Sequence, residues 1–125
     1  MEIKEIMKEP VVIDKNIKIK DASKIMSENR IGSLLVLKNK KLAGIITERD
    51  ILKNINKLDS GVYEIMSTNV ITIESNDTID HAAIIMTEKK IKKLPVLKKS
   101  VLVGIITATD LIAHSEDLNE DFFFD

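Results

Sequence analysis

Two short stretches carry the residues best suited to chemistry. Thr47 and Asp50 stand in Gly44-Ile45-Ile46-Thr47-Glu48-Arg49-Asp50, and Thr107 and Asp110 stand in Gly104-Ile105-Ile106-Thr107-Ala108-Thr109-Asp110. A threonine that ends an apolar run, followed three residues later by an aspartate, has two readings. In one, the threonine caps a helix and the carboxylate reaches back to the cap, a variant of the capping box worth about 1 kcal/mol. In the other, the helix start offers N–H groups, a hydroxyl and the positive dipole end to a phosphate, while the carboxylate accepts hydrogen bonds from a sugar diol.

Other chemistries have less support. The chain has no Cys, so thiolate nucleophiles, disulfides and thiolate metal sites are excluded. Its two histidines, His81 and His114, are far apart, and no Walker loop or metal-ligand spacing occurs. Two aspartates at helix starts are not a catalytic apparatus, and the expectation is a protein that is not an enzyme.

The 19 basic and 20 acidic residues leave a net charge of -1, which does not draw the molecule to nucleic acid or to an anionic membrane. Tyr63 is the one aromatic residue outside Phe122, Phe123 and Phe124, so a stacking platform for bases is absent from the body of the sequence. No apolar run approaches a membrane span and no hydrophobic leader follows Met1, so a soluble, cytoplasmic protein is expected.

The elements that must position the Thr-Asp pairs are written twice. Sliding the sequence by 60 aligns residues 13–52 with 73–112 without a gap and gives 18 identities in 40. A period this long in two copies indicates a duplicated globular half. Each copy opens with a helical piece containing Ile6-Met7 or Ile65-Met66, then a short strand at 11–13 or 70–73. A helix follows, with Ala22, Ile25 and Met26, or Ile79, Ala82, Ala83 and Met86, at helical spacing and Asn76 or Asp77 as a cap for the second. Strands at 33–37 and 42–46, and at 94–97 and 102–106, flank the polar turns 38–41 and 98–100. Their nearly continuous apolar character suits strands covered on both faces. A last helix runs from Thr47 through Ile55, and from Thr107 through Ile112. The stretch 56–61 reads as the linker. Residues 115–125 form an acidic tail whose three phenylalanines either dock in a groove or fray.

This order, the duplication and the two Gly-x-x-Thr-x-x-Asp junctions resemble the cystathionine β-synthase (CBS) domain family in its tandem-pair form. The resemblance covers about residues 5–114. It implies an α/β (α+β) fold of two β-α-β-β-α repeats packed sheet to sheet with pseudo-twofold symmetry, at 1–57 with the N-terminal helical piece and at 61–114. It also implies a regulatory module without a catalytic cofactor, often a homodimer, binding AMP, ADP, ATP or S-adenosylmethionine in clefts between the halves. A role in energy sensing and a protein target, unidentified, go with that reading.

Carried over residue by residue, the resemblance implies one site of Thr47, Arg49 and Asp50 with Val70, Ile71, Ile91, Lys92 and Lys93. The other joins Thr107, Thr109 and Asp110 with Val11, Val12, Ile31, Gly32 and Ser33. Asp would take the ribose hydroxyls, Thr and cations the phosphate, and aliphatic side chains the adenine. With Lys92 and Lys93 on its side, the Asp50 site is expected to prefer phosphorylated ligands, and the Asp110 site to bind weakly or to take a less charged adenosine compound; those lysines also read as solvated edge-strand residues. The family's Leu-Pro-Val strand start is present as Leu94-Pro95-Val96 and becomes Leu34-Leu35-Val36 in the first copy.

Between copies, Ala22-Ser23-Lys24-Ile25-Met26 becomes Ala82-Ala83-Ile84-Ile85-Met86. The added apolar residue suggests cover in a homodimer or deeper burial within the chain. The alternative to a ligand sensor is a dimerising scaffold with empty clefts.

Overall fold

The computed structural model describes residues 1–117, so the Phe122–Phe124 segment lies outside the described residues. Two hairpins organise it. β2 (Ser33–Lys38) and β3 (Lys41–Thr47) pair antiparallel, as do β5 (Lys93–Lys98) and β6 (Val101–Thr107). Their connections are two residues long, tighter than the sequence suggested, because both residues adopt positive φ: 51° and 66° at Asn39 and Lys40, 50° and 66° at Lys99 and Ser100. That backbone matches the right-handed twist of the flanking strands, although no glycine is there to take it without strain.

A short first strand joins each hairpin in parallel, giving sheet orders β1-β2-β3 and β4-β5-β6. β1 covers Val12–Asp14, and β4 only Ile73–Glu74. Val70 and Ile71, expected to be strand, precede it and make no ladder contact. α1 (Ile19–Asn29) and α3 (Ile79–Lys89) cross from the first strand to the second. The cap of α3 is Thr78, whose Oγ1 accepts from His81 N at 3.1 Å, not Asn76 or Asp77 as expected. Asp77 instead accepts from Thr78 N and meets His81 Nδ1, so it braces the cap from outside. The closing helices, α2 (Glu48–Lys53) and α4 (Ala108–Ala113), are six residues each. Ile55 falls beyond α2, in the 3-10 turn Ile55–Lys57.

The chain divides into two compact units that do not coincide with the two repeats as they are written. An inner unit holds Val11–Val70, and an outer unit joins Met1–Pro10 to residues 71–117. The expected linker at 56–61 is therefore part of the inner unit. Backbone hydrogen bonds explain the division. In the outer unit, Ile3 N donates to Asp77 O, Lys4 N to Ser75 O and Ile79 N to Met1 O. In the inner unit, Ile19 N donates to Ser60 O, Lys20 N to Leu58 O and Val62 N to Ile17 O. Met1–Pro10 and residues 58–67 thus act as straps, and each lays one apolar residue into its core, Ile3 in one case and Val62 in the other, both with no exposed surface.

Each unit has its own core. The inner one gathers Ile13, Ile19, Ala22, Met26, Leu34, Val36, Ile46, Ile51 and Val62. The outer one gathers the corresponding Ile73, Ile79, Ala82, Met86, Leu94, Val96, Ile106 and Leu111 with Ile3 and Ala83. The periodic helix positions read from sequence all lie on these cores. Ile84 is 46% exposed, so the extra apolar residue of α3 is not buried within the chain. No helix among the described residues is long and apolar enough to cross a membrane.

Candidate functional site

Both Thr-Asp junctions are capping boxes. In the inner unit Thr47 N donates to Asp50 Oδ2 at 2.9 Å and Asp50 N donates to Thr47 Oγ1 at 3.2 Å. In the outer unit the equivalent bonds are 2.9 and 3.1 Å, and Thr107 Oγ1 also donates to Asp110 Oδ2 at 2.9 Å. The capping reading thus holds in both copies. It restricts the other one. The first helical amide is also engaged, Glu48 N by Gly32 O and Ala108 N by Lys92 O. Two of the first three helix amides are therefore bonded inside each unit, which leaves little free N–H for an anion at such short helices. A phosphate at these junctions must depend on side-chain cations.

The antiparallel registers decide which residues flank each box. Ser33 is the partner of Thr47 and Lys93 the partner of Thr107, because the start of the second strand lies opposite the end of the third. The grouping expected from the sequence crossed these: it set Lys92 and Lys93 with Asp50, and Gly32 and Ser33 with Asp110. Within each unit, Gly32 O accepts from Glu48 N at the start of the Asp50 helix and Lys92 O from Ala108 N at the start of the Asp110 helix. Ile31 and Ile91 pack half-buried against their own cores, next to these junctions. Arg49 and Thr109 are exposed on the first turns of α2 and α4.

Charge follows the same division. In the inner unit the Glu48 carboxylate lies over Gly32, where a Cβ would stand 3.3 Å from Glu48 Cδ. The outer unit has Ala108 in place of Glu48 and Lys92 in place of Gly32. It also holds a residue that the sequence reading missed: Lys8, whose Nζ lies 2.9 Å from Asp110 Oδ1. Burial by itself pushes the Asp110 carboxyl up; the Lys8 ammonium and the two Thr107 donors outweigh it and hold the group below its ordinary value. Asp110 is 4% exposed and all of its contacts are charge-assisted or from the cap. Asp50 is half-buried, and its Oδ1 has no hydrogen-bond or ion-pair partner among the described residues.

Lys8 was legible in principle. Ile6-Met7-Lys8 corresponds to Ile65-Met66-Ser67, so the position differs between copies by a full charge. The strap geometry is shared, since Lys8 and Ile105 exchange backbone bonds of 3.0 and 2.9 Å as Ser67 and Ile45 exchange two of 2.9 Å. A serine at that position carries no cation to bring to the capping box. The remaining expected contacts are apolar and accessible: Val11 and Val12 in the inner unit are 37% and 39% exposed, and Ile71 in the outer unit 37%. Val70, in the inner unit, is half-buried.

Two copies of one unit, each with a strap, a parallel first strand and a capping-box aspartate after its hairpin, match the CBS domain family at residues 3–57 and 62–117. The chain belongs to the CBS domain family. As a tandem CBS pair it is similar to the CBS domain pair of protein MJ0100, solved in complex with 5'-methylthioadenosine and S-adenosyl-L-methionine. The two share 34% identity with a TM-score of 0.82 over 93% of this chain and 96% of that one. It is also similar to the CBS domain protein PAE2072 from Pyrobaculum aerophilum, solved with AMP, at 26% identity and a TM-score of 0.79 over 89% and 90%. Among curated proteins, the L-aspartate semialdehyde sulfurtransferase of Methanocaldococcus jannaschii is 38% identical over 112 residues, 87% of this chain and 22% of the enzyme. The CBS pair described here thus spans a fifth of that relative's length, and 36% and 23% of two others.

Proposed function

We propose that this CBS pair is a regulatory module that binds an adenosine-containing ligand and passes its occupancy to a protein target. The observation that carries the reading is the Asp50 carboxylate. Its Oδ2 is pinned by Thr47 N–H, while Oδ1 has no hydrogen-bond or ion-pair partner among the described residues and the residue is half-buried, the state in which a carboxylate can accept from a ribose diol. The ligands bound by the related CBS pairs, AMP in one case and methylthioadenosine with S-adenosylmethionine in the other, support the same ligand class here.

In this reading Asp50 and Asp110 take ribose hydroxyls. Val11, Val12, Val70 and Ile71 offer apolar surface to adenine, with Ile31 and Ile91 as half-buried neighbours of the two junctions. Lys92 and Lys93 supply the cations for a phosphate, which moves the preference for phosphorylated ligands to the Asp110 side, while Ser33, Arg49 and Thr109 are polar neighbours. Signalling requires that the ligand bind one arrangement of the protein better than another, since equal affinity shifts no equilibrium. A ligand among AMP, ADP and ATP makes the module a reporter of energy state.

Calorimetric titration with AMP, ADP, ATP and S-adenosylmethionine on the wild type, Asp50→Ala and Asp110→Ala tests this. Binding that one or both substitutions abolish is the expected result. At one hundred times its dissociation constant a ligand stabilises the fold by about 2.7 kcal/mol, so a thermal shift must accompany it. Absence of binding and of a shift with all four compounds rejects the reading.

A second reading, a dimerising scaffold, is favoured by Ile84 in α3, Leu52 in α2 and Ile112 in α4, which are 46%, 72% and 73% exposed. Apolar side chains this accessible suit a homodimer surface. Sedimentation equilibrium that returns the monomer mass at all concentrations rejects the dimer.

A further inference from the structure

Asp110 is engaged at both of its oxygens before any ligand arrives. Oδ2 accepts from Thr107 N and Thr107 Oγ1, and Oδ1 holds the Lys8 ammonium at 2.9 Å. Asp50 keeps the Thr N–H bond to Oδ2 but has neither the threonine hydroxyl bond nor the ammonium, and the residue at the position of Lys8 is Ser67. The difference in charge at Oδ1 lies in one side chain, because the backbone bridges that seat Lys8 on Ile105 and Ser67 on Ile45 are alike. Lys8 is anchored through its backbone while its side chain is 69% exposed, so the ammonium can leave the carboxylate without disturbing the strap.

A sugar diol that hydrogen-bonds the outer oxygen of Asp110 competes with that ammonium. For a neutral nucleoside, one charge-assisted contact is exchanged for hydroxyl contacts and the lysine is left to water. For a nucleotide, the displaced ammonium meets an anion carried by the ligand itself, in a unit whose Lys92 and Lys93 already flank the same helix start. We infer that Lys8 is a specificity-determining residue of the Asp110 half: it competes with a ribose diol for the carboxylate and so selects adenosine compounds that bear a phosphate over those that do not. This rests on the ribose role assigned to the aspartates above and adds to it a discriminating residue, present in one copy only.

The test compares AMP with adenosine by calorimetry on the full chain. Asp50→Ala serves as the background that leaves Asp110 as the remaining carboxylate, and Lys8→Ser and Lys8→Arg are added to it. Lys8→Ser should tighten adenosine and loosen AMP, so that the ratio of their affinities falls by about tenfold or more, the scale of one charge-assisted hydrogen bond. Lys8→Arg, which keeps the cation, should keep the ratio. A ratio unchanged by Lys8→Ser overturns the inference while leaving the nucleotide-binding reading intact. Absence of binding by either compound to every variant and to the wild type overturns both. Loss of tight AMP binding in Lys8→Arg as severe as in Lys8→Ser also overturns it, because the role would then not be the charge.

Discussion

Met7 packs on Gly104 so closely that a Cβ built at the glycine would stand 2.6 Å from the methionine Sδ. The contact is what lets the N-terminal strap lie flat along β6. Its counterpart is tighter in kind, since a Cβ at Gly44 would meet the Ser67 carbonyl oxygen at 2.6 Å and Met66 Sδ at 2.8 Å. Neither glycine has positive φ, so the constraint is space alone. Both Gly→Ala substitutions should destabilise by about 1–3 kcal/mol. Gly44→Ala should be the worse, because a thioether can swing aside and a carbonyl paired to Ile45 cannot. Urea unfolding of the two variants measures the order.

Ile3 tests the strap as a part of the core. It is completely buried among Ile79, Leu94 and Ile106. Ile3→Ala should cost about 2–5 kcal/mol in chemical unfolding, whereas Ile112→Ala, at a residue 73% exposed, should stay within about 0.5 kcal/mol. Similar costs for the two would mean that the strap does not pack as described.

Asp110 sets an acid limit. Its carboxyl lies below its ordinary 3.8 in the folded protein, so the unfolded chain binds a proton more readily than the native one. The resulting stability is present in full above the ordinary carboxylate range and is lost as pH falls through that range toward the lowered folded value. Urea midpoints followed from about pH 5 down to about pH 3 should therefore drop less steeply in Asp110→Asn than in the wild type. Parallel slopes would show that the ion pair and the cap do not hold the charged form.

The hairpin turns carry strain that glycine would relieve. Lys40 and Ser100 both sit at φ 66°. Lys40→Gly and Ser100→Gly should each raise stability by about 0.5–1 kcal/mol, since the left-handed conformation costs an L-residue more than the added entropy of glycine in the unfolded chain. The thermal midpoint of each variant against the wild type gives the sign, and a lowered midpoint counts against these turns.

Much of the local structure can be read from neighbouring residues alone. The apolar spacing of Ala82, Ala83 and Met86 announces a buried helix face, and Thr107 with Asp110 announces a cap, because both signals depend on residues within one or two turns. The second short strand was harder to judge: Val70, Ile71 and Thr72 have strand-forming side chains, but only Ile73 and Glu74 find a partner on β5. Strand propensity describes fitness for a ladder and does not supply the neighbour. At the candidate site, the register of β5 on β6 sets Lys93 opposite Thr107, a pairing across the hairpin that residue spacing alone does not give.

From its order of residues alone, this protein could be known as one unit written twice, with two cap-forming aspartates and a branched aliphatic core. Those features survive in any arrangement, since a repeat, a period and a cap are relations among residues close in the chain. Tertiary structure decided that Met1–Pro10 belongs with the second hairpin and that the chain from 58 to 67 belongs with the first. It also decided that Lys8, some hundred residues away in sequence, stands against Asp110. Such pairings form because a strap buries Ile3 and satisfies backbone groups at the edge of a distant strand, and neither gain can be seen in the strap's own sequence.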